Sequence, residues 1–176
     1  MNKLSILFIL LIPIAALAQT SKGKETNSRA NLVWESNLPD DLHDFYNEEK
    51  IRTTYGINKD LNPFYLRGDF DGDKKIDYAL AVIELKTEKK GILIYHPAIK
   101  GFFVVGAGIA ILNRLGDDYQ WMNAWLVYGK KEVGLGVGET EKIKLIGEAI
   151  LIQKLESSSG LIYWDGKQYK WYQQGD

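Results

Sequence analysis

Residues 67–95 read RGDFDGDKKIDYALAVIELKTEKKGILIY, and the reading of this stretch decides the architecture. Its second half holds two apolar runs, Tyr78–Leu85 and Ile92–Tyr95, separated by the charged turn Lys86–Gly91. Short apolar runs rich in β-branched and aromatic residues and bounded by a polar turn read as strands, and a short connection makes them antiparallel partners. The first half is a loop that carries four carboxylates, Asp69, Asp71, Asp73 and Asp77.

Outward from this pair the signals stay β. Pro63 precedes Phe64-Tyr65-Leu66, Pro97 closes the ILIY strand, and Phe102–Val105 follows. Ile143–Ile146, Ala149–Leu155, Leu161–Trp164 and Tyr169–Tyr172 read as further strands. Trp121–Tyr128 is assigned to strand, although Trp121 and Trp125 also fit helical spacing. Asp165-Gly166 stands between aromatic runs and predicts a hairpin, because Asp-Gly readily takes the positive φ angles of tight turns. Tyr163, Trp164, Tyr169, Trp171 and Tyr172 crowd that hairpin. Cross-strand packing, each pair adding about 0.2–1 kcal/mol, is one account of them. A flat sugar- or peptide-stacking surface is the other.

One helix is expected, over residues 39–50. Pro39 and Asp40-Asp41 suit a first turn, and Leu42, Phe45 and Tyr46 fall on one face at i, i+3 and i+4. The fold class is α+β, mainly one antiparallel sheet of about six to nine short strands with the N-terminal helix packed on it. The alternative is a partial, propeller-like arrangement of two blade-like sheets.

The chain has 176 residues, 22 basic and 23 acidic side chains, and a formal net charge of -1. That length suits one domain, with or without a tail. Near-balanced charge argues against a generic nucleic-acid or anionic-membrane binder. Zero cysteines exclude a disulfide scaffold, thiolate zinc sites, iron–sulfur ligation and thiol nucleophiles.

The first eighteen residues read as an address. Met1-Asn2-Lys3 is a short positive start, Leu4–Leu17 is apolar apart from Ser5 and Pro13, and Ala16-Leu17-Ala18 offers a small–x–small cleavage site. A cleavable secretory signal at residues 1–18 is the expectation, with a periplasmic or secreted destination. An uncleaved membrane anchor needs a longer run without proline. Residues 19–30 are polar and aperiodic and read as a flexible leader, leaving 31–176 as a single β-rich domain. No later stretch is long and apolar enough to span a membrane.

Chemistry concentrates in Asp69–Asp77. Its carboxylates stand at relative positions 1, 3, 5 and 9, and the position-7 carbonyl, of Lys75, can join them. This is the opening part of a calcium loop's ligand scheme. Calcium accepts six to eight hard oxygens in irregular geometry, and a dication relieves the repulsion among crowded carboxylates. The loop is no EF-hand: position 12 is Leu80, without a carboxylate, and strand rather than helix follows. Lacking that glutamate, the site is expected to bind in the weak range of extracellular modules, about 10⁻⁴–10⁻³ M, and the ion to be structural.

GDFDGDKKIDYALAV resembles the calcium-loop motif of the FG-GAP/VCBS repeats, a D-x-D-G-D-x-x-x-D loop followed by an apolar strand. The resemblance covers about residues 67–95. In that family the loop joins strands of β-propeller blades in extracellular adhesion and surface proteins. It implies Asp69, Asp71, Asp73, Asp77 and the Lys75 carbonyl as ligands. Two features depart from the family. Lys74 stands where glycine is usual at position 6, and the motif occurs once, too few for a set of blades.

Other motifs weigh less. Arg67-Gly68-Asp69 spells an adhesion tripeptide, but Asp69 is better explained as a metal ligand. Gly106-Ala107-Gly108 and Gly134-x-Gly136-x-Gly138 lack the spacing and βαβ context of a dinucleotide site; VGLGVG more plainly lets a backbone or an aromatic ring come close. His43 and His96 share no motif and read as surface or hydrogen-bonded residues rather than ligands. Ser157–Gly160 reads as a turn, and no G-x-S-x-G elbow exists. Three functional classes remain: an exported non-enzymatic binding or interaction domain with one structural calcium ion; a small glycan or cell-wall hydrolase using Asp117-Asp118 or Glu139/Glu141; and an inhibitor or immunity-type protein for another exported protein. A protein or glycan partner is expected and a nucleic acid is not.

Overall fold

A computed structural model describes residues 32–110, 115–129 and 132–175. The expected export signal at 1–18 and the polar leader at 19–30 lie outside the described residues. The chain divides into two units, Met1–Asn37 and Leu38–Asp176. Of the first, residues 32–37 form a helical turn, in which Ser36 N–H donates to the Leu32 carbonyl at 2.9 Å.

The second unit opens with two short helices, α1 (Asp40–Tyr46) and α2 (Glu49–Thr54). The expected single helix over 39–50 is thus broken. Glu48 is extended, with φ -56° and ψ 131°, and it starts the second helix while Asn47 ends the first. Asn47 is a weak helix former, and its side-chain oxygen accepts from Arg52 across the break at 3.0 Å. Pro39 precedes α1 and Asp40 and Asp41 occupy its first turn, as the sequence predicts.

Nine strands follow: β1 (Tyr55–Ile57), β2 (Tyr65–Gly68), β3 (Asp77–Glu84), β4 (Lys90–His96), β5 (Gly101–Gly106), β6 (Ala124–Tyr128), β7 (Ala149–Lys154), β8 (Ser158–Trp164) and β9 (Tyr169–Gly175). They form two antiparallel sheets rather than one. In the first, β3 pairs with β4 and β4 with β5, while β1 and β2 lie end to end along the other edge of β3. The second is a meander, β6-β7-β8-β9. Strand partners are invisible to local pattern: residues 107–123 separate β5 from β6, and among the described residues β6 pairs only with β7.

Both sheets are covered on both faces, which explains the dense apolar run of β3. Its even-numbered Tyr78, Leu80 and Val82 pack with Leu42, Phe45, Tyr46 and Ile51 of the helices. Its odd-numbered Ala79 and Ala81 pack with Ile92 and Ile94 against Trp125, Ile150, Ile152, Ile162 and Trp171 of the second sheet. A strand buried on two sides has no polar face to show. Each fully buried Leu, Ile or Val contributes about 1.5–3 kcal/mol, an upper figure given a compact unfolded chain.

The outer face of the second sheet is covered by Val133 and Leu145, packed on Ala149, Leu161 and Tyr172. Here Ile143–Ile146 is irregular rather than a strand: Leu145 is needed as a lid on that face, and the segment joins no ladder. Gly136 of VGLGVG lets both a backbone and a ring approach, as its sequence suggests. Its N–H donates to the Tyr172 hydroxyl at 2.9 Å, and a Cβ there would strike the Gln173 carbonyl. Ser158–Gly160 belongs to β8, so the turn expected at 157–160 lies earlier, at residues 155–157.

The C-terminal hairpin forms around a four-residue loop, Asp165–Gln168, with Gly166 at φ 100°. Tyr169, Trp171 and Tyr172 are buried, so three of the five aromatics serve the core rather than a stacking surface.

Candidate metal centre

Antiparallel pairing of Gly68 with Asp77 brings the two ends of the acidic loop together. Inside it the backbone curls twice through the left-handed region, at Gly72 (φ 84°) and at Lys74 (φ 70°). Lys74 therefore adopts a conformation that favours glycine, which is costly for a residue with a Cβ. Three aspartates brace the curl. Asp69 Oδ1 accepts from Gly72 N–H at 2.8 Å, Asp71 Oδ1 from Asp73 N–H at 3.0 Å, and Asp73 Oδ1 from Lys75 N–H at 2.7 Å. Asp69, Asp71 and Asp73 each bring a carboxylate oxygen within 4.8 Å of the other two. Lys75 enters the loop's bracing through its N–H, and its ammonium stands 3.7 Å from Asp73 Oδ2, an exposed pair of little worth.

Asp77 behaves differently. It is 1% exposed, and its Oδ2 accepts from the N–H groups of Phe70 (2.8 Å) and Asp71 (3.3 Å). Its Oδ1 lies 2.8 Å from Nδ1 of His96, and Asp71 Oδ2 lies 3.4 Å from the same nitrogen. The four aspartates expected around one ion thus fall into two overlapping groups, one of them with His96 and neither with Lys75. One is Asp69, Asp71 and Asp73; the other is Asp71, Asp77 and His96.

His96, read from the sequence as a surface or hydrogen-bonded residue, is the latter. It is 1% exposed, so it is no surface histidine, and its Nε2 lies 3.0 Å from the Tyr169 hydroxyl. A signal was present: in ILIYH, His96 follows Ile92 and Ile94 at intervals of two, which puts it on their face, between the sheets. Asp77 shares a face with Ala79 and Ala81 by the same alternation.

The loop is also clamped to the second sheet. Glu148, just before β7, accepts from Asp69 N–H through Oε2 at 2.8 Å and donates its own N–H to the Asp69 carbonyl at 2.6 Å. Close approach here needs glycine on both sides. A Cβ on Gly147 would lie 2.6 Å from Gly72 N, and one on Gly72 would lie 2.6 Å from Ile146 Cγ2. With Gly68 buried beneath Glu148 and Asp69 held in this way, Arg67-Gly68-Asp69 is the end of β2 and its entry into the acidic loop.

Burial first, then the neighbouring Asp77 and Asp73 carboxylates, raises the Asp71 carboxyl above its usual range, against the Asp73 N–H and His96. Burial, reinforced by Asp77, Asp71 and Asp69, raises the Tyr169 phenol and keeps it protonated.

Three of the other acidic candidates, Asp117, Asp118 and Glu139, have structural partners. Asp117 pairs with Lys89 at 2.5 Å, and Asp118 Oδ1 accepts from the N–H groups of Lys90 and Gln120. Glu139 Oε1 accepts from Gln173 N–H at 3.4 Å. No protein-family model, curated protein or solved structure matches this chain, so its site is read from its own geometry.

Proposed function

We propose that this chain is an exported β-rich domain in which the Asp69–Asp77 loop holds a structural calcium ion, and that it acts as a non-enzymatic binding or interaction module. The observation that carries the metal reading is the convergence of Asp69, Asp71 and Asp73 within 4.8 Å. Like charges so close repel by the order of a few kcal/mol per pair at an effective dielectric of about 20, and a dication reverses the sign. An all-oxygen set in an irregular loop suits calcium better than magnesium, which demands a strict octahedron. The resemblance to the FG-GAP/VCBS loop supports the same ion, and the short apolar N-terminus with its Ala16-Leu17-Ala18 site supports export. A module reading fits an acidic loop that also joins the two sheets through Glu148.

Thermal unfolding in calcium and in EDTA tests the metal reading. Calcium raises the melting temperature of the chain and EDTA returns it. Asp73→Asn, which touches only the all-oxygen group, abolishes most of the shift. An equal melting temperature with and without calcium overturns the proposal.

A further inference from the structure

The acidic loop is read above as a calcium site, but its buried end carries a nitrogen, and calcium takes oxygen ligands. Three atoms converge there: His96 Nδ1, Asp77 Oδ1 at 2.8 Å from it, and Asp71 Oδ2 at 3.4 Å. Apart from this approach to each other, the first two are buried without a hydrogen-bond partner among the described residues. Leaving two such atoms unmet costs about 1–3 kcal/mol each. A buried carboxylate oxygen and imidazole nitrogen that meet only each other, with a second carboxylate 3.4 Å away, make a ready donor set for a cation.

Each of the three side chains is oriented through its other polar atom. Tyr169 holds His96 at Nε2, the Phe70 and Asp71 N–H groups hold Asp77 at Oδ2, and Asp73 N–H holds Asp71 at Oδ1. Metal-ligating histidines and carboxylates are held in this way, by outer contacts that leave one atom aimed at the ion. The spacings fit as well. Bonds of about 2.0–2.1 Å to a zinc-sized ion put neighbouring ligand atoms roughly 2.9–3.4 Å apart, in octahedral or tetrahedral geometry. Phe103, Trp164 and Tyr169 ring His96, with centroids 5.6, 6.4 and 6.0 Å away, so the site is dry on its inner side. Asp71, whose side chain is 17% exposed, gives access from solvent.

We propose that His96 Nδ1, Asp77 Oδ1 and Asp71 Oδ2 form a second metal site, for a borderline divalent transition ion of the zinc class, next to the all-oxygen group and sharing Asp71 with it. Imidazole with carboxylates suits such ions and not calcium. The proposal stands on His96 and Asp77 and does not depend on the calcium reading. With the ion on Nδ1, the ring proton sits on Nε2 and is donated to the Tyr169 oxygen, so Tyr169 is a positioning residue and not a ligand.

The test uses the full chain, stripped of metal and then held in excess calcium while zinc is added, with heat of binding and the zinc X-ray absorption spectrum as readouts. One zinc per chain is expected, undisplaced by calcium, with nitrogen in its first shell. Tyr169→Phe, which keeps the ring, weakens zinc binding by about 10–100-fold. His96→Gln, if it folds, loses zinc while keeping the calcium response. His43→Gln changes neither. The idea is overturned by no stoichiometric zinc in the wild-type chain, by a first shell of oxygen alone, or by wild-type zinc affinity in Tyr169→Phe. Because Asp73→Asn reports on calcium and Tyr169→Phe on zinc, either reading can fail without the other.

Discussion

Glu148 and Asp69 hold each other by two hydrogen bonds, carboxylate to N–H at 2.8 Å and N–H to carbonyl at 2.6 Å, across 79 residues of sequence. This pair ties the loop between β2 and β3 to the start of β7 in the other sheet. A hydrogen bond to a charged group contributes about 1.5–3 kcal/mol, more than an exposed ion pair. Glu148→Ala is expected to cost that much in urea unfolding and to reduce the calcium response. Glu148→Gln, which keeps an acceptor, costs less. Glu132→Ala, from a pair whose glutamate side chain is 85% exposed, changes stability by under about 1 kcal/mol.

Lys74 holds φ at 70°, a conformation that a Cβ makes costly. Lys74→Gly removes that strain and Lys74→Ala does not, while both remove the charge. The glycine variant is expected to exceed the alanine variant by about 1 kcal/mol, less whatever glycine adds to the freedom of the unfolded chain. Calcium titrations of the two variants, read by melting temperature, check the ranking; equal curves would show that the left-handed turn carries no cost.

Tyr119 is 1% exposed, and its hydroxyl has no hydrogen-bond partner among the described residues. Burial raises the phenol well above its ordinary range, so it stays neutral, but its dipole remains unmet. Tyr119→Phe is expected to stabilise the fold by about 0.5–1.5 kcal/mol, seen as a higher urea midpoint at unchanged slope. A lower midpoint would reveal a partner for the hydroxyl.

Asp165 closes the last hairpin. Its Oδ1 accepts from Lys167 and Gln168 N–H groups, and its Oδ2 pairs with Lys170 at 2.8 Å. The Lys170 bond above all, then those two N–H groups, lowers its carboxyl from 3.8 to about 2. A depressed folded value means stability present above the unfolded value and lost as pH falls through the folded one. The gap in stability between the wild type and Asp165→Asn is therefore expected to hold down to about pH 4 and to close by about pH 2. Urea midpoints across that window check it; a gap that persists at pH 2 contradicts the assignment.

Much of the fold was legible locally. Tyr78–Leu85 and Ile92–Tyr95 announce their strands because apolar β-branched runs carry their own period, and Asp165-Gly166 announces its turn because few dipeptides accept positive φ so readily. The break at Glu48 and the loss of strand at Ile143–Ile146 were not legible, and the division into two sheets entered only as the alternative to a single sheet. Each depends on which surface another segment covers, and local pattern holds no such information.

The candidate site divides along the same line. Spacing alone brought out Asp69, Asp71 and Asp73, because alternate residues of one tight loop are neighbours whatever the rest of the chain does. The left-handed backbone at Lys74 was not legible in the spacing. Only the tertiary structure set Asp77 beside His96, a residue from the far end of the neighbouring strand, and backed His96 with Tyr169 from the other sheet. The physical reason is range. Carboxylates a few residues apart meet through the backbone that joins them, whereas an imidazole reaches a carboxylate nineteen positions earlier only after strand register and sheet packing have brought the two faces together.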